Sequence, residues 1–143
     1  KVRAADDDHV DRFQLGTPAY ETIAAVDAAA RFLLDTGMDS IAAHEREVFA
    51  VLLDGLLSLP GVEVLGPHSL EQRAPTLAFT MAGRSANQIA VALAGAEVAV
   101  WDGHYYAIEV MAAYGIDGAV RAGIAAYVNT DDVLRFLDVV SSL

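Results

Sequence analysis

The chain has 143 residues, 55% of them hydrophobic and 20% charged, which is long enough for one domain and too apolar for intrinsic disorder. Its 20 acidic residues against 9 basic ones give a formal charge of -11, which repels phosphate backbones and anionic lipid, so neither nucleic acid nor membrane is an expected partner. Cysteine is absent, which excludes disulfides, thiolate metal sites and thiol nucleophiles together. The longest apolar run is far short of the roughly 20 residues a bilayer span requires. No basic leader followed by an apolar stretch reads as a signal peptide, and the expected location is the cytoplasm.

Residues 1–12 carry Asp6, Asp7, Asp8 and Asp11 and do not begin with Met. They read as an exposed lead-in or the cut end of something longer; a processed or merely polar terminus fits them equally. Residues 20–35 are helical in period, with Ile23, Val26, Ala30 and Leu33 on one face and Gly37 placed for a C-terminal cap. A second helix is expected over 40–59. Its stripe is Ile41, Val48, Leu52, Leu56 and Leu59, with Glu45, Arg46, Glu47 and Asp54 off it and Pro60-Gly61 ending it.

The texture then changes. Val62-Glu63-Val64-Leu65 reads as a short strand and residues 67–73 as a loop. Residues 76–81 alternate Leu77, Phe79 and Met81 against Thr76, Ala78 and Thr80, a strand period. Ser85 can cap a helix over 86–94 with Ile89 and Leu93 inward. A strand is expected over 98–101, a short helix over 108–114 ending at Gly115, and a strand over 119–127. Asn129 caps a final helix over 131–142, with Val133, Phe136, Leu137 and Val140 inward and Asp131 and Asp132 in its first turn. This order predicts an α/β (α+β) domain in which helices cover a small, largely antiparallel sheet.

Most catalytic motifs are missing. His9, His44, His68 and His104 are scattered, and Val48 stands where a zinc-protease helix opened by His44-Glu45 needs its second histidine, so no metal site is expected. There is no Gly-x-Ser-x-Gly nucleophile turn. Gly83-Arg84-Ser85 reads as a turn and helix cap, with a short anion corner as the alternative. Two segments stand out. Trp101-Asp102-Gly103-His104-Tyr105-Tyr106 gathers polar aromatics and a histidine at a strand end, suited either to line a pocket or to close the core. Arg121 lies within the apolar run Ala119-Val120-Arg121-Ala122-Gly123-Ile124, as a surface residue or as a placed guanidinium able to grip a carboxylate with two hydrogen bonds.

Three motifs in order resemble the C-terminal part of the class V aminotransferases, pyridoxal-phosphate enzymes of fold type I that include the cysteine desulfurases. Arg12-Phe13-Gln14-Leu15-Gly16-Thr17-Pro18 is similar to the stretch that follows the large domain in that family. The segment from Val98 to Ala107 resembles the desulfurase active-site loop. Val120-Arg121-Ala122-Gly123, then Tyr127 and Asn129-Thr130, resembles the family's arginine strand and the start of its last helix, with Val128 interrupting the Tyr-Asn-Thr run.

The resemblance implies a lead-in or interdomain segment over 1–18 and a C-terminal small domain over 19–143, the large domain lying outside this chain. It implies that Arg121 holds the α-carboxylate of a small amino-acid substrate. His104, Tyr106 and Trp101 would stand near that substrate, and Tyr105 at the same mouth. Gly16 and Thr17 would reach the cofactor phosphate of the other subunit of a homodimer. It implies pyridoxal 5'-phosphate as cofactor, held as a Schiff base by a lysine of the large domain. Here Lys1 is the only lysine, so no catalytic residue is assigned to this chain. Tyr106 occupies the place of the sulfur-accepting cysteine, so persulfide formation cannot occur on this chain. The competing reading is a non-catalytic α/β module that dimerises or binds a partner through its long amphipathic helices.

Overall fold

The computed structural model describes residue 13 and residues 16–143. The acidic lead-in expected over 1–12 lies outside the described residues, as do Arg12, Gln14 and Leu15 of the first motif. Residues Lys1–Met38 and Asp39–Leu143 form two separate compact units.

In the first unit the helical period after Pro18 produces α1 (Tyr20–Thr36), in which no residue is buried. Gly37 ends it at φ 89°, a left-handed value that glycine takes without a Cβ clash, and its N–H donates to Leu33 O.

The second unit is built from α2 (Met38–Ser58) from its second residue on, β1 (Val62–Leu65), β2 (Thr76–Met81), α3 (Ala86–Gly95), β3 (Trp101–Gly103), α4 (Ile108–Tyr114), β4 (Ala119–Gly123) and α5 (Thr130–Ser141). The strands form one sheet in the order β1-β2-β4-β3, every pairing antiparallel. The strand period of two sorts its side chains. Val64, Leu77, Phe79, Val120 and Ala122 share one face and are buried with Val48, Phe49, Leu52, Leu53 and Leu56 of α2, Ile89 and Leu93 of α3, and Val133, Phe136 and Val140 of α5. The rings of Phe79 and Phe136 meet edge to face at 5.9 Å. Gly55 marks close approach of α2 and α5, since a Cβ there would collide with the Leu137 side chain. The helical stripe of α2 thus holds, widened by Phe49 and Leu53 and with Leu59 only half-buried.

Helix caps form where the sequence places them. Ser85 and Gln88 close a reciprocal capping box on α3, and Asn129 and Asp132 do so on α5. Two strands differ from expectation. The strand expected over 98–101 is instead Trp101–Gly103, because the end of α3 consumes the chain before it: Glu97 turns to φ 60° and Val98 N–H donates to Leu93 O at 2.9 Å. The chain meets β4 only from Trp101, opposite Arg121. The strand expected over 119–127 stops at Gly123. Ile124 N–H still donates to Pro75 O, opposite it in the register, but Pro75 has no N–H to return, so the ladder ends there, and Val128 N–H closes a turn onto Ala125 O. Among the described residues, no helix is long and apolar enough to cross a membrane, and no group of three His, Asp or Glu could hold a metal ion.

Candidate functional site

The sheet's second face is where the chemistry-bearing residues gather. Alternation that buries Val120 and Ala122 turns Arg121 outward. Register then sets Arg121 between Ala78 of β2 and Trp101 of β3. Trp101 is 65% exposed, beside the guanidinium-bearing position.

After β3 the chain turns sharply. Gly103 takes φ 119°, and Tyr105 and Tyr106 take φ 54° and 60°, left-handed values uncommon for residues with a side chain. Two consecutive residues of this kind persist only where contacts hold them. The contacts are visible. Tyr105 Oη lies 2.7 Å from Trp101 O and 2.6 Å from Ala119 O, reaching one carbonyl at each flank of the β3–β4 pair. Tyr106 N–H donates to His104 Nδ1 at 3.0 Å, and the two rings meet edge to face at 5.8 Å. That hydrogen bond requires Nδ1 to carry no proton. Tyr106 itself is 94% exposed.

The loop folds back on Arg121: its guanidinium carbon sits 4.9 Å from the centre of the Tyr105 ring. Burial raises the Tyr105 phenol pKa above its ordinary 10.0; the nearby Arg121 charge opposes this and Asp102 reinforces it.

On its other side Arg121 lines a cleft of about 280 Å³. The cleft runs between the residues just before β3, which are not hydrogen-bonded to β4 as a strand, and the C-terminal end of β4. Leu52, Val133 and Phe136 give it apolar lining; Tyr127, Asp132 and Arg135 are polar contributors. Arg135 pairs with Asp132 at 3.3 Å. Arg121 makes no ion pair or side-chain hydrogen bond among the described residues, so its donors stay available.

The structure therefore brings Arg121, Trp101 and the His104–Tyr106 loop to one face, while Trp101, His104 and Tyr106 stand outside the lining of the cleft itself. A distant Arg121 would have favoured the non-catalytic module. Gly16 and Thr17 lie in the first unit and are exposed, with nothing within 4 Å of a Cβ built on Gly16. No lysine occurs among the described residues, so none of them fits the imine-forming role toward pyridoxal phosphate. Sequence reasoning missed Arg135, whose i,i+3 spacing from Asp132 on α5 was readable. It also gave Tyr105 no structural task, because both carbonyls it reaches are defined only by the folded register.

Known proteins resemble this chain in sequence and fold. The class-V aminotransferase family model matches residues 3–136. A probable cysteine desulfurase of Mycobacterium leprae is 36% identical over 126 residues, covering 88% of this chain and 30% of that protein. A cysteine desulfurase structure from Thermococcus onnurineus superposes with TM-score 0.89 at 29% identity, over 93% of this chain and 33% of that one. The Escherichia coli cysteine desulfurase CsdA does so with TM-score 0.80 at 25% identity, over 90% and 31%. The chain thus spans about a third of the length of these relatives. With its motifs, fold and relatives in agreement, the chain belongs to the class-V aminotransferase family, among relatives that are cysteine desulfurases.

Proposed function

We propose that residues 19–143 serve as the C-terminal small domain of a larger pyridoxal-phosphate enzyme acting on a small amino acid. Its large domain would supply the lysine that holds the cofactor. Its partner subunit in a homodimer would receive Thr17 and Gly16 at the cofactor phosphate, and the enzyme would work in the cytoplasm. When bound, pyridoxal phosphate supplies an electron sink for chemistry at the substrate's α carbon.

The task of this chain is binding and orientation. Arg121 receives the substrate carboxylate on its planar fork, which fixes the substrate's rotation about the α carbon. Trp101, His104 and Tyr106 would stand at the mouth beside that position. Tyr106 has no thiol, so no persulfide forms on this chain. The observation that supports this reading most directly is Arg121 itself, a guanidinium without an acidic partner among the described residues, in a chain of formal charge -11.

The test is kinetic, in the full-length protein. Charged hydrogen bonds contribute about 1.5–3 kcal/mol each, so Arg121→Ala should raise the amino-acid KM by about 10- to 100-fold or more. Cofactor absorbance should be unchanged. An unaltered KM would remove the clamp.

A further inference from the structure

We propose that Tyr105 is the positioning residue for Arg121, holding the guanidinium by its ring face while its hydroxyl ties the loop to the sheet. The proposal rests on the clamp reading of Arg121 and assigns the device that keeps the clamp ready.

The argument turns on how a cation can be held without being used up. A carboxylate partner would neutralise Arg121 and occupy the same in-plane N–H donors that a substrate needs. An aromatic face attracts the cation through its quadrupole and takes none of those donors. Tyr105 provides such a face, 4.9 Å from the guanidinium carbon. The nearest acidic residue on β3, Asp102, is paired with Val120 in the register and not with Arg121.

The ring can hold Arg121 only if it is itself fixed. Tyr105 sits at φ 54°, next to Tyr106 at φ 60°, on a tight loop. Its hydroxyl has one proton to donate and stands within 2.7 Å of two carbonyls, Trp101 O and Ala119 O. Those carbonyls belong to the first residues of β3 and β4. The hydroxyl therefore bridges the strands that flank the loop. Trp101, opposite Arg121 in the register, is the only tryptophan of the chain and reports on that bridge.

The experiment uses the 143-residue chain, labelled with nitrogen-15, with sodium acetate as the carboxylate probe. In the unmodified chain the Arg121 Nε–Hε resonance, assigned by its loss in Arg121→Ala, should be shielded by the Tyr105 ring current. Tyr105→Leu should abolish the shielding and weaken acetate binding about five-fold, the scale of a cation–π contact at a partly exposed site. Tyr105→Phe keeps the ring and removes the bridge; it should reduce the shielding and shift the Trp101 emission maximum. Full shielding or unchanged acetate affinity in Tyr105→Leu overturns the proposal. So does Tyr105→Phe with both shielding and Trp101 emission unchanged, which decides the matter even if the leucine variant does not fold. Acetate that binds equally well to Arg121→Ala, or not at all to the unmodified chain, removes the clamp reading instead; the shielding still tests Tyr105.

Discussion

Strand β4 serves two faces of the sheet with alternate residues. Val120 and Ala122 are buried against α2, α3 and α5, whereas Arg121 between them and Gly123 after them are exposed; Ala119, which opens the strand, is buried as well. On the buried face every contact is apolar, and shape decides stability. On the other face Arg121 and Trp101 stand among the small residues Ala78, Ala119 and Gly123, the backbone of the loop after β3 reaches left-handed values at Tyr105 and Tyr106, and a guanidinium has no acidic partner among the described residues. The difference teaches that one five-residue strand can carry fold and site together, because the period of two keeps their demands apart. Substitutions should therefore separate cleanly, with stability lost on one face and recognition on the other.

The largest effect should come from the buried face. Phe79 is fully buried and meets Phe136 edge to face. Phe79→Ala removes that ring pair and leaves a cavity, which should cost about 3–5 kcal/mol in urea unfolding. A loss below about 1 kcal/mol would mean that the sheet and α5 do not pack as described.

Across β4 the expectation reverses. Arg121→Ala removes one contact with the Tyr105 ring and no ion pair among the described residues, so the stability loss should be about 1 kcal/mol or less by the same unfolding measurement. A loss as large as that of Phe79→Ala would make Arg121 a structural residue and dissolve the contrast between the faces.

The two faces were not equally legible. The buried one could be read almost residue by residue. Leu77 and Phe79 alternate, the α2 stripe is helical, and Asn129 with Asp132 announces the start of α5. These are local patterns set by backbone period and capping chemistry. Phe49 and Leu53 escaped because the buried arc of α2 is wider than one stripe. The strand over 98–101 was misplaced because Val98 and Val100 suit a strand locally, while the N–H of Val98 is already committed to Leu93 O. The exposed face was legible only as an unusual cluster whose meaning came through family resemblance. Nothing local says that Trp101 pairs with Arg121 or that Tyr105 reaches Ala119 O, since both contacts span strands brought together by α4 and its turns.

The smallest effect tests the join between the faces and follows from the sign of one proton equilibrium. Burial raises the Tyr105 phenol pKa above 10.0, against the opposing charge of Arg121 and with reinforcement from Asp102. Between the unfolded value and the raised folded value, the native chain keeps a proton that the unfolded chain has lost. The native state then binds more protons, so stability falls as pH rises through that window. The contribution is complete below about pH 10 and is lost as the folded phenol ionises. Ionisation would also end the hydroxyl's donation to Trp101 O and Ala119 O. Tyr105→Phe has no proton there to lose. Its unfolding free energy should therefore decline less steeply than that of the unmodified chain between about pH 9 and pH 11, and the gap between them should narrow as the pH climbs. The remaining tyrosines are common to both chains and cancel in the difference. Parallel profiles would mean that the phenol is as free in the folded chain as in the unfolded one, and the hydroxyl bridge between β3 and β4 would have to be given up.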